Sequence, residues 1–158
     1  MKIEGFKQFF WNKEKPMTTT PPDNYAFKYR YLDSSVPPEY HRSYTLLVTP
    51  ERVYLSVDCY GKILLEDAFA LKPDRYQSFV AAMLTLDIRK REEPADKGCA
   101  GGTTDYLELF TGQTNELKGR VYHCAREDFG DLEGEVAAAV ALFKGLAPDL
   151  AKKVQKAG

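Results

Sequence analysis

The chain is short of the side chains from which most catalytic and metal sites are built. It has two histidines, one tryptophan and three cysteines in 158 residues. Neither an HxxxH nor a CxxC pair occurs, so the usual spacing of a zinc site is missing. Cys59, Cys99, His123 and Cys124 hold suitable donor atoms, but His123 and Cys124 are neighbours on an expected strand and leave opposite faces. No GxxxxGK[ST], GxGxxG or GxSxG is present. No metal or cofactor is expected.

The odd number of cysteines fits a reducing compartment, or leaves one thiol free. No run of 18 apolar residues exists to form a spanning helix. The opening MKIEGFKQFFWNKEKP lacks the apolar core and small-residue cleavage site of a secretory signal. The sequence therefore reads as cytoplasmic. Excess charge is missing too: 22 basic and 23 acidic side chains leave a formal net charge of −1. No long-range field would draw in a polyanion, and nucleic acid is not expected as a partner.

What is present is material for a packed core. Hydrophobic residues make up 44% and charged residues 28%, outside the range of disordered chains. Ten tyrosines and nine phenylalanines favour strands. Residues 1–15 read as an amphipathic helix with Ile3, Phe6 and Phe10 on one side, widened by Phe9 and Trp11. Residues 16–24, PMTTTPPDN, read as a linker, and residues 25–158 as a single domain.

From Tyr25 the apolar period is two. Tyr25, Phe27, Tyr29 and Tyr31 alternate with Ala26, Lys28, Arg30 and Leu32. Strands are expected at about 40–49, 52–58 and 62–69, with turns at Thr49–Arg52 and Cys59–Lys62, the latter using Gly61. Pro73 and Asp74 open a helix with a stripe of Tyr76, Phe79, Val80, Met83 and Leu84. Residues 89–102 read as a charged loop, and 104–111 with 117–124 as a hairpin. A last helix is expected over about 131–146, capped by Asp131, with Leu132, Val136, Val140 and Phe143 inward. This order, β-β-β-β-α-β-β-α after the N-terminal helix, predicts an α+β fold. It would be an antiparallel sheet of about six strands with two helices on one face.

The stretch KGCAGGTTDY at 97–106 is the most suggestive. A hairpin turn near Gln113-Thr114 sets Cys124 opposite Thr103, so Cys99 and Cys124 meet at the open end. They are candidates for a disulfide, which would imply an envelope or secreted protein. Cys99 is also a candidate nucleophile, with His123 as base or Cys124 as resolving thiol. Against this stands the absence of any convergent catalytic set. The reading therefore leans away from an enzyme and towards a binding or protein-interaction domain. Tyr25, Phe27, Tyr29, Arg30 and Trp11 are its candidate contacts for a protein, a second copy or a small ligand. A small thiol-dependent enzyme or redox protein using Cys99 is the alternative.

Overall fold

The computed structural model describes residues 25–95, 100–111 and 114–158. The N-terminal amphipathic segment with Trp11, the linker and Cys99 lie outside the described residues. The described chain forms one antiparallel sheet of eight strands with three helices, not about six strands with two helices. The strands are β1 (Tyr25–Leu32), β2 (Ser43–Val48), β3 (Arg52–Cys59), β4 (Lys62–Ala70), β5 (Ile88–Ala95), β6 (Thr103–Thr111), β7 (Thr114–Cys124) and β8 (Glu127–Gly134). The helices are α1 (Pro73–Thr85), α2 (Val136–Leu146) and α3 (Leu150–Lys156).

Strand order is β4-β3-β2-β1-β6-β7-β8-β5. Two meanders join back to back along β1 and β6. β4 and β5 are the opposite edges, so α1, which links them, must carry the chain from one side of the sheet to the other. Alternation places Tyr25, Phe27 and Tyr29 of β1, Tyr44, Leu46 and Val48 of β2, and Val53, Leu55 and Val57 of β3 on one buried face. Phe79 of α1 and Phe143 of α2 close over that face. Phe27 meets Phe79 edge-on at 5.1 Å between ring centres, Phe79 meets Phe143 at 5.3 Å, and Tyr29 meets Phe143 at 5.5 Å. Burying one such ring contributes roughly 1.5–3 kcal/mol, so this cluster anchors both helices.

The two strands absent from the sequence reading are β5 and β8. β5, IRKREEPA, is an edge strand paired only with β8. An edge needs no second ladder and tolerates charge and proline, so a charged run reads as a loop although it pairs. β8 occupies the ground expected to start the last helix. Asp131 is not a helix cap: it lies in β8, where its carboxylate accepts the Lys90 ammonium and the Arg120 backbone N–H, the latter at 2.7 Å. The helix starts five residues later, at Val136, after Gly134 turns the chain with φ +97. A Cβ there would run into the Asp87 carbonyl, which is why glycine fits.

The turn at Cys59–Lys62 forms as expected, with Tyr60 and Gly61 both at positive φ (49 and 89). The hairpin β6–β7 is one residue out of the expected register. Thr103 faces His123 rather than Cys124, and a bulge lies between Leu109 and Phe110.

Candidate functional site

Inward-facing positions run Leu109, Leu107, Asp105 along β6 and Leu117, Gly119, Val121, His123 along β7. The pattern is apolar until it reaches the open end of the hairpin. There Asp105, His123 and Asp128 lie side by side on three successive strands. His123 is the direct cross-strand partner of Asp128 and sits diagonal to Asp105.

The imidazole bridges both carboxylates. Nε2 is 2.7 Å from Asp105 Oδ2, and Nδ1 is 2.6 Å from Asp128 Oδ1. Ionised carboxylates only accept, so the ring holds both contacts as hydrogen bonds when both nitrogens carry hydrogen, as imidazolium. Burial pushes the His123 pKa down, but the two carboxylates outweigh it and the pKa is raised. The other oxygen of Asp105 accepts the Tyr29 hydroxyl at 2.6 Å. Tyr29 is fully buried, and burial followed by the Asp105 contact raises its pKa far above the ordinary tyrosine value.

This row forms the polar end of a cleft of about 440 Å³ between α2 and the sheet. Its apolar wall is Val121, Leu132, Val136 and Val140, all buried. Arg91 of β5 and Lys144 of α2 also line it. Arg91 donates from Nε to the Leu132 carbonyl at 3.2 Å and from Nη2 to the Asp128 carbonyl at 3.4 Å. Each lining carboxylate is engaged: Asp105 and Asp128 by His123, and Glu133 by Arg89 at 3.0 Å. Arg91 and Lys144 meet no carboxylate among the described residues. The volume lies within the range of small-molecule sites.

Of the sequence candidates, the structure places His123 at this cleft and Cys124 buried at the end of β7, beside it in sequence but in the opposite strand phase. Cys59 is a free thiol. The two described cysteines are not joined to each other. Tyr25, Phe27 and Tyr29 are 2%, 1% and 0% exposed, so they are core rather than contact residues. Arg30 lies on the outer face, donating to Asp58 at 2.8 Å and to Thr45 at 3.1 Å. The second histidine, His41, is buried, stacked on Tyr60 at 3.7 Å and bonded to its backbone N–H at 3.3 Å. It supports the turn.

The sequence reading missed Asp105, Asp128, Arg91 and Lys144. Asp105 did leave a signal: it is an acid in phase with the inward-facing Leu107 and Leu109. Among the described residues no group of three His, Cys, Asp or Glu side chains is disposed to hold a metal ion. No described helix is long and apolar enough to cross a membrane. The chain matches no protein family, no curated protein and no solved structure.

Proposed function

We propose that this protein is a non-catalytic binding domain, and that the cleft beside His123 takes a small amphipathic ligand with an anionic head. The observation that carries the reading is the charge balance of the lining. The carboxylates are all engaged, whereas Arg91 and Lys144 have no acidic partner among the described residues. A carboxylate or similar group on an apolar body would satisfy those cations while its body covers Val121, Leu132, Val136 and Val140. Both nitrogens of His123 are engaged, which leaves no lone pair to take a proton from a nucleophile. That favours binding over thiol catalysis.

Calorimetry with a series of medium-chain carboxylates and their matched alcohols and amines tests the reading. The carboxylate should bind about tenfold tighter than the alcohol, equivalent to about 1.4 kcal/mol. Arg91→Met with Lys144→Met should erase that difference, and Ala141→Trp should block all binding. Equal affinity for the three heads, or preference for the amine, would refute it.

A protein partner remains part of the same proposal, and a nucleic-acid partner does not. The outer-face cations Lys28 and Arg30 already face Glu108 and Asp58, which argues against a phosphate-binding stripe. The pairing of Cys99 with Cys124 is proposed alongside. It is supported by Cys124 lying at the open end of the β6–β7 hairpin, where the chain enters β6 at Thr103 four residues after Cys99. Thiol counting by mass, with and without reductant, decides between a reducing location and an envelope or secreted one.

A further inference from the structure

The sheet has two open edges, β4 and β5, and they are built differently. β5, IRKREEPA, guards its edge with charge and a proline. β4, KILLEDAFA, runs nine residues without a proline, and its end from Ala68 to Ala70 carries no charge. Leu71, just past β4, donates its N–H to the Glu51 carbonyl at 2.9 Å. Alternation from that bond turns the N–H and C=O of Asp67 and Phe69 towards β3, and those of Glu66, Ala68 and Ala70 away from the sheet. Glu66, Ala68 and Ala70 are all exposed. The Ala68 N–H donates to Asp67 Oδ1 at 2.9 Å, within its own edge. On the outer face Ala68 adjoins Tyr54, which is 43% exposed, and Tyr54 adjoins Leu47. This row belongs to a groove of about 690 Å³ that stops at β4.

We propose that β4 pairs with β4 of a second copy of this chain, antiparallel, about a two-fold axis at Ala68. Like charges directly opposite each other are unfavourable, and this selects the register. Centring on Glu66 opposes two glutamates, and centring on Asp67 opposes two aspartates. Centring beyond Ala68 shortens the ladder. Centring on Ala68 sets alanine against alanine and Glu66 against Ala70, each pair exchanging N–H and C=O across the axis. The Ala68 N–H then trades the Asp67 carboxylate for a carbonyl. Charge is complementary as well. Lys72 continues from β4 in extended backbone, φ −66 and ψ 144, on the same face as Glu66. The register puts each Glu66 diagonal to Lys72 of the second copy. Neither side chain makes an ion pair among the described residues. The row Leu47, Tyr54, Ala68 meets its own rotated image, so two grooves become one apolar strip across the junction.

Sedimentation velocity of the full chain over a range of concentrations tests this pairing. The expected result is a reversible step from 17.9 kDa to twice that mass. Ala68 faces itself across the axis, so a charge of either sign there meets its own kind. Ala68→Lys and Ala68→Glu should each weaken the dimer at least about tenfold. Mixed together, the two variants should pair with each other at least as tightly as the wild type does. Glu93→Lys, a charge change on the β5 edge, should leave the association unchanged. Far-ultraviolet circular dichroism is the check that each variant stays folded. A wild-type mass of one chain at every concentration overturns the proposal. So does a dimer that both Ala68 variants leave intact, or folded Ala68 variants that fail to pair when mixed.

Discussion

The Tyr29 hydroxyl, buried among the core aromatics, donates to Asp105 Oδ1 over 2.6 Å. It ties the centre of the core to the polar end of the cleft. Because the acceptor is charged, the bond contributes more than a neutral one. Tyr29→Phe should lower stability by about 2 kcal/mol, read as a lower urea midpoint at unchanged slope. A loss too small to measure would mean that water or another group serves Asp105 equally well.

His123 makes stability depend on pH. Its folded pKa is raised: burial opposes the charged form, and the two carboxylates more than compensate. The contribution is fully present below the unfolded value of about 6.5 and is lost as pH rises through the folded value. Stability should therefore fall between about pH 6.5 and the raised folded pKa, and His123→Gln should flatten that part of the profile. Parallel slopes for wild type and variant would show that the bridge between β6, β7 and β8 does not discriminate between the two protonation states.

On the outer face, Asp58 is 3% exposed and accepts both Arg30 and the Gly61 N–H. Burial raises its pKa, but those donors prevail and hold it below the ordinary carboxylate value. Its contribution is present above about pH 3.9 and disappears as pH falls through the depressed folded value. Arg30→Met leaves the carboxylate buried beside a single backbone donor. It should cost about 2–3 kcal/mol at neutral pH and move the acid-unfolding midpoint upward. Acid unfolding at the wild-type midpoint would show that Arg30 is not what keeps Asp58 ionised.

Much of the architecture was legible because period two is a local signal. Strands β1 to β4, the α1 helix beginning at Pro73 and the β6–β7 hairpin follow from alternation and turn residues. β5 and β8 did not follow. β5 is a charged run whose only partner, β8, lies far along the chain, and β8, although it pairs with β7 across a tight turn, is a run of charge and glycine with no apolar face to announce it. Thr111 pairs with Thr114, two residues from the expected register, and the bulge after Leu109 restores one of them, which leaves Thr103 facing His123.

The sequence alone settled which side chains share a face, because a strand's dihedrals send alternate side chains to opposite sides whatever lies beside it. That is enough to put Asp105 in phase with Leu107 and His123 in phase with Val121. Tertiary structure decided which strands became neighbours, and through that the His123 bridge, the cleft and the company of Arg91 and Lys144. Those outcomes rest on ladders and helix contacts between distant segments. Their free energy depends on which edges meet in space, and no local pattern carries that information.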